Sequence, residues 1–90
     1  MDKPEIIRVL KGILVDDLFV ADSPDDIDVE VSLDNDLGLD SVGFVELGTL
    51  VSETFNIRIA DSDVGEGHFA SVNRLADFII SRLGAQAAAE

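Results

Sequence analysis

The sequence predicts a compact all-α bundle built from amphipathic helices around one core. Three segments place apolar residues three or four positions apart, the spacing that gives a helix one buried face. The stretch from Ile27 to Leu33 alternates apolar and polar residues as a strand would, but no second strand pattern is present to pair with it. We therefore expect an extended loop there. The 90 residues, 47% of them hydrophobic, suffice for one domain with a modest core.

The first helix is expected from about Lys3 to Phe19. Asp2 and Glu5 form a D-x-x-E arrangement similar to a capping box, and Pro4 suits a first helical turn. A long acidic connection follows, roughly over residues 21–40, and its apolar side chains should hold it against the helices. The predicted buried face of the first helix consists of Ile6, Val9, Leu10, Ile13, Leu14 and Leu18.

The second helix is expected from Ser41 to Phe55. Asp40 precedes it and belongs to a residue type favoured at helix N-caps, so Ser41 should lie in the first turn with its side chain near water. The predicted buried stripe consists of Phe44, Leu47, Val51 and Phe55.

A brief third helix is expected to begin at Asp61 and to end early, because glycines follow at positions 65 and 67. Ser71 should cap a last helix from Val72 to Leu83, and Gly84 should end it. Residues 1–84 then form the domain, and residues 85–90 form a flexible tail. The five phenylalanines are expected in the core: Phe19, Phe44, Phe55, Phe69 and Phe78.

The charge of the chain is strongly one-sided. The net charge is −13, and no Lys or Arg occurs between Gly12 and Ile57, where all charged residues are acids. Such a surface repels nucleic acid and anionic lipid and attracts basic partners. The acidic stretch could also serve only to keep the protein soluble.

The chain offers little reactive chemistry of its own. It has no cysteine, so disulfides and thiolate metal sites are excluded. Its one histidine, His68, is expected to be a plain surface residue. Ser41 therefore has no evident base to activate it as a nucleophile, and if it is functional another protein acts on it. Otherwise Ser41 is only part of a helix cap.

The acidic connection contains a partial calcium-binding motif. Asp34 begins a sequence similar to a calcium-binding EF-hand loop, but Gly38 stands fifth instead of sixth, and Glu46 lies one position beyond the required twelfth. The N-terminus lacks the layout of a signal peptide, and no apolar run approaches the length of a membrane span. We expect no metal site and a monomeric cytoplasmic protein.

Three stretches together resemble the acyl carrier protein family: Gly38 to Val42, Val45 to Leu47, and Ile59 to Asp63. The resemblance extends over most of the chain, from Ile6 to Leu83. It implies a four-helix bundle without catalytic activity of its own.

The same resemblance implies that Ser41 carries a 4′-phosphopantetheine arm. A separate phosphopantetheinyl transferase would install the arm from coenzyme A, and the cargo would be held as a thioester on its thiol. A phosphodiester on Ser41 would lie at a helix N-terminus, where free N–H groups and the helix dipole favour negative charge. Asp40 would flank the attachment site and assist recognition by the transferase.

The resemblance also implies a surface for loading, elongating or transferring enzymes with basic docking faces. Gly43, Gly48 and Ser52 depart from fatty-acid carriers, and the segment over residues 65–70 is longer. These departures favour a specialised pathway with polyketide, aminoacyl or related cargo. The alternative is an acidic interaction module or divalent-metal-binding protein. The expected partner-binding residues are Val42, Val45, Glu46, Gly48, Thr49 and Glu53.

Overall fold

The computed structural model describes residues 2–60, 63 and 67–89, with side chains as far as residue 84. Helix α1 spans Lys3–Asp16, α2 spans Ser41–Phe55 and α3 spans Val72–Ala89, with a short 3-10 helix at Pro24–Asp26. None of the described residues lies in a strand. Helix α1 packs mainly against α3 and also contacts the 3-10 helix and α2. This confirms the all-helical prediction.

No helix among these residues has the length and apolar character that a membrane crossing requires. The predicted brief third helix falls largely on residues 61–62 and 64–66, which lie outside the described part of the chain. The four-helix bundle implied by the family resemblance therefore stays a prediction.

Helix α1 begins as predicted and ends earlier. The Asp2 carboxylate accepts a hydrogen bond from the N–H of Glu5 at 3.2 Å, which caps the helix. The prediction that α1 reaches Phe19 was wrong, because the helix ends at Asp16. The N–H groups of Asp17 and Leu18 both donate to the carbonyl of Ile13, so the regular pattern of hydrogen bonds stops there.

The prediction that Phe19 belongs to the core was also wrong. Its side chain is 81% exposed, and its φ is 55°. Because α1 has already ended, the helical spacing no longer directs position 19 toward the core. The other four phenylalanines agree with the prediction: Phe55, Phe69 and Phe78 are buried, and Phe44 is half-buried against the core.

The acidic connection is a loop, as predicted, and buried leucines and backbone hydrogen bonds hold it in place. Leu33 and Leu39 are part of the core. The N–H of Leu33 donates to the carbonyl of Ala70 at 3.0 Å, and the N–H of Asn73 donates to the carbonyl of Val29 at 3.0 Å. These two bonds tie the loop to the chain around the start of α3.

Helix α2 has the predicted bounds, and α3 is longer than predicted. Ser71 caps α3 as expected, because its hydroxyl accepts a hydrogen bond from the N–H of Arg74 at 3.2 Å. The prediction that Gly84 ends the helix was wrong: α3 continues to Ala89. Gly84 does not take the left-handed backbone of a helix-ending glycine, and alanines after it are strong helix formers. Flexibility of residues 85–90 stays a prediction.

Candidate functional site

Ser41 is exposed in the first turn of α2, where the sequence places it. The Asp40 carboxylate accepts a hydrogen bond from the N–H of Gly43 at 2.8 Å, and the Asp40 carbonyl accepts one from the N–H of Phe44 at 2.9 Å. Asp40 is therefore the N-cap, as predicted. The first N–H groups of a helix have no partner inside it, so this turn favours an anionic group on the serine.

Glycine at position 43 has a structural role that the sequence did not reveal. A Cβ added at this position would lie 2.8 Å from Leu39 Cδ1, 3.0 Å from Leu39 Cγ and 3.3 Å from Asp40 Oδ1. Leu39 is buried in the core. Glycine therefore lets the buried leucine and the capping carboxylate both pack against the start of α2. The spacing of four residues between Leu39 and Gly43 was the available signal.

The chain approaches Ser41 through a fixed turn. Gly38 has a φ of 76°, a left-handed backbone that glycine adopts without steric cost. The N–H of Leu39 then donates to the carbonyl of Leu33 at 2.9 Å. These features set the direction in which the chain enters α2 and hence the position of the Ser41 hydroxyl.

A cavity of about 960 Å³ lies beside Ser41. Its walls come from one face of α2, from Asp34 in the acidic loop, and from described residues within 59–60 and 67–70. The sequence gives no signal of this cavity, because its walls come from segments far apart in the chain. The lining residues are Asp34, Ser41, Phe44, Val45, Gly48, Thr49, Ser52, Glu53, Ile59, Ala60, Gly67, Phe69 and Ala70.

The residues expected to bind partners separate into two groups. Val42 and Val45 are 68% and 64% exposed, although both are apolar. Three further exposed residues, Glu46, Thr49 and Glu53, follow on the same helix. Gly48 does not join them, contrary to the expectation that it binds partners. It is buried and lines the cavity, so it is not available to the backbone of a partner.

The cavity has a fixed negative charge at its edge. A hydrogen bond from the Ser32 hydroxyl and one from the N–H of Asn35 lower the pKa of Asp34 below its ordinary value. Asp34 is therefore ionised at neutral pH. Among the residues that the structure describes, no group of three or more His, Cys, Asp or Glu side chains is arranged to hold a metal ion.

His68 is not the plain surface residue that the sequence suggested. It is half-buried, and its ring stacks on Phe78 with centroids 4.6 Å apart. The Arg82 guanidinium also lies over the Phe78 ring, 4.9 Å from its centroid. Phe78 and Arg82 are neighbours at i and i+4 on α3, but His68 lies outside the helix, and the sequence gives no signal of its stacking.

Asp63 joins this cluster to the cavity wall. Its carboxylate is nearly buried, pairs with Arg82 at 2.8 Å and accepts a hydrogen bond from the N–H of Ala60 at 2.9 Å. Ala60 lines the cavity. The Asp63–Arg82 pair therefore fastens one wall of the cavity to α3.

Comparison with known proteins agrees with this site. The family described as "Phosphopantetheine attachment site" matches residues 8–79, which include Ser41 and all of the cavity lining. Members of this family carry a 4′-phosphopantetheine prosthetic group.

Several curated relatives are similar over nearly their whole length. The acyl carrier protein of Cyanidium caldarium is 33% identical over 85 residues, covering 94% of each chain. That of Amoebophilus asiaticus is 37% identical over 79 residues, covering 88% of this chain and 94% of the relative. That of Thermosynechococcus vestitus is 32% identical over 85 residues, covering 94% of this chain and all of the relative. Ser41 is capped, exposed and beside a cavity, and the chain around it is similar to these carriers over most of its length. The chain therefore belongs to the acyl carrier protein family.

Proposed function

We propose that Ser41 is the residue to which the 4′-phosphopantetheine arm is attached, and that the protein holds cargo on that arm while enzymes act on it. The observation that carries the proposal is the position of Ser41, exposed in the first turn of α2 and lining a cavity of about 960 Å³. A hydroxyl in this place is accessible to a modifying enzyme and close to a space that can receive a ligand.

The residues around Ser41 fit such a group. The phosphodiester would lie at the N-terminus of α2, where the helix dipole stabilises negative charge. The Asp40 carboxylate is held by the N–H of Gly43, which keeps the turn in place and leaves Ser41 exposed. When bound, the arm supplies a thiol on which cargo is held as a thioester.

The exposed residues of α2 form the docking surface in this proposal. Val42 and Val45 supply a small apolar patch next to Ser41, and Glu46 and Glu53 supply negative charge for basic groups of the partner. Exposed ion pairs contribute only about 0 to 1 kcal/mol each, so binding is weak and exchange is fast. Such exchange suits a monomeric cytoplasmic carrier that passes between a transferase and several biosynthetic enzymes.

Intact-mass spectrometry tests the attachment directly. The chain is incubated with coenzyme A, magnesium and a broad-specificity phosphopantetheinyl transferase. We expect the mass to increase by one phosphopantetheine group in the wild type and not in Ser41→Ala. Ser81→Ala, which changes another exposed serine, is the matched control and should be modified normally. An unmodified wild type, or modification of Ser41→Ala, would contradict the proposal and favour an acidic interaction module.

We also propose that the cargo belongs to a specialised pathway, such as one making polyketide or aminoacyl products. The support is the mixed cavity lining, in which Asp34, Thr49, Ser52 and Glu53 stand beside apolar residues. Polar side chains along the wall of a cavity can hydrogen-bond to a ligand that carries polar groups. Loading the chain with a hydroxylated and with a saturated acyl group of equal length tests this. The hydroxylated cargo should raise the melting temperature more, and the reverse order would indicate a fatty-acid carrier.

A further inference from the structure

The turn after α1 departs from the usual local preferences of helix ends in three ways, all of them around Phe19. The first concerns the backbone: Phe19 has a φ of 55°, in the left-handed region that a bulky side chain rarely adopts. Glycine is the usual residue at such a position after a helix. A phenylalanine here therefore lowers the stability of the fold.

The second departure is the exposure of the ring. Phe19 is 81% exposed, more than any other large apolar side chain that the structure describes. Its neighbours Leu18 and Val20 are half-buried and pack against the core. The turn is thus anchored on both sides of Phe19, and the ring between these anchors is in water.

The third departure is the charge at the end of α1. Asp16 and Asp17 occupy the C-terminal end of the helix, where the dipole favours cations, and no basic residue lies in the last turn. Asp22 adds a third exposed acid on the other side of Phe19. No Lys or Arg occurs from Gly12 to Ile57 to compensate them.

Local features that each lower stability and occur together are expected at functional sites. We propose that Phe19, with Asp16, Asp17 and Asp22 around it, is a docking surface for a partner protein. The partner has an apolar pocket that receives the Phe19 ring and a rim of Lys and Arg that pairs with the three acids. Aromatic anchors in such pockets commonly dominate binding energy. The surface lies outside α2, so the proposal does not depend on Ser41 being modified.

The negative charge around Phe19 favours a basic protein as the partner over a second copy of this chain or a membrane. A second copy of this chain would bring its own acids against these three, and an anionic membrane would be repelled in the same way. A basic protein surface is attracted and gains the burial of the ring.

Two substitutions separate the role of the ring from the backbone conformation. Phe19→Gly removes both the ring and the Cβ, whereas Phe19→Ala removes the ring and keeps the Cβ. Relief of the left-handed conformation in Phe19→Gly should raise the melting temperature by about 4 to 8 °C, and Phe19→Ala should change it little. Both should weaken binding of the partner equally.

The partner is first identified by replacing Phe19 with p-benzoylphenylalanine in the full chain, with irradiation in the native cells. The partner identified in this way is then purified separately, and the Kd of its complex with each variant is measured at two salt concentrations. We expect the affinity to fall about tenfold or more in both Phe19 variants. Asp17→Asn should weaken the salt dependence of binding.

Ile80→Ala, which changes another exposed apolar residue, on α3, is the control and should bind like the wild type. Three results would each overturn the proposal. They are a crosslink only to a second copy or to no protein, wild-type affinity in Phe19→Ala, and a lower melting temperature in Phe19→Gly. Modification of Ser41 by the transferase should be normal in every Phe19 variant, so the test does not depend on the function proposed above.

Discussion

Gly43 and Leu39 are packed so closely that a Cβ at position 43 would lie 2.8 Å from Leu39 Cδ1. This contact shapes the turn that presents Ser41, because Leu39 is buried and Asp40 between them caps α2. It also explains a glycine inside a helix without reference to a partner.

Alanine at position 43 should therefore destabilise the protein, although alanine is the better helix former. Overpacking against a buried side chain typically costs about 1 to 3 kcal/mol, which exceeds the gain in helix propensity of about 1 kcal/mol. Gly12→Ala in α1 is the matched control, because nothing lies within 4 Å of its added Cβ. It should stabilise the protein by about 0.5 to 1 kcal/mol. Urea unfolding measures both, and equal effects would contradict the packing argument.

Removal of the α2 cap should weaken the fold. Asp40→Ala loses the hydrogen bond from the N–H of Gly43 and should cost about 0.5 to 2 kcal/mol in unfolding experiments. Asp40→Asn keeps an acceptor and should melt close to the wild type. If the carboxylate also serves the transferase, Asn at this position should slow modification of Ser41 without loss of stability. Normal modification would restrict Asp40 to capping.

The Asp63–Arg82 pair should matter more than the Lys3–Asp77 pair, which has the same separation. Arg82→Met leaves the nearly buried Asp63 carboxylate without its partner, whereas Lys3→Met breaks an exposed pair with Asp77, also at 2.8 Å. We expect losses of about 1 to 3 kcal/mol for Arg82→Met and about 0 to 1 kcal/mol for Lys3→Met. Thermal unfolding at equal salt compares them. A larger effect from Lys3→Met would show that the cavity wall does not depend on this link.

A basic residue on the exposed face of α2 should impair function and leave the fold intact. Val45→Arg places a positive charge where the proposed partners are basic, and Val45 is 64% exposed. Modification or cargo transfer should slow, while circular dichroism and melting stay near the wild type. Ile80→Arg on α3 is the control and should transfer normally. If Val45→Arg melts early, this position belongs to the packing, and if it transfers normally, α2 is not the docking surface.

Salt should stabilise the protein. The twelve acids from Gly12 to Ile57 repel one another without any base among them, and about 0.1 M salt screens charges more than about 10 Å apart. The melting temperature should rise steadily with sodium chloride. Magnesium and calcium should act similarly and without saturation. A single tight calcium site in calorimetry would instead support the metal-binding alternative.

The helices were predictable where local signals agreed. Asp40 and the apolar stripe located α2 correctly, and Asp2 located the start of α1. The helix ends are less predictable. The apolar spacing continues through Leu18 although α1 ends at Asp16, and Gly84 is typical of a helix end although alanines after it sustain the helix. Spacing alone does not show where backbone hydrogen bonding stops.

The candidate site was predictable at Ser41 and not around it. A serine after an acidic cap is a local pattern, whereas the cavity is made by segments that only the folded chain brings together. The burial of Gly48 and the stacking of His68 on Phe78 depend on such long-range packing. Helix periodicity identified the exposed residues of α2 but could not show that three of them, Val45, Thr49 and Glu53, also border a cavity.

Two backbone hydrogen bonds connect the cavity wall to the turn before Ser41. The N–H of Leu33 donates to the carbonyl of Ala70, and the carbonyl of Leu33 accepts from the N–H of Leu39. Ala70 lines the cavity, and Leu39 is the residue that Gly43 accommodates. Since one residue is bonded to both places, the wall and the turn cannot be displaced independently without breaking a bond. The shape of the cavity and the orientation of the Ser41 hydroxyl are therefore mechanically linked.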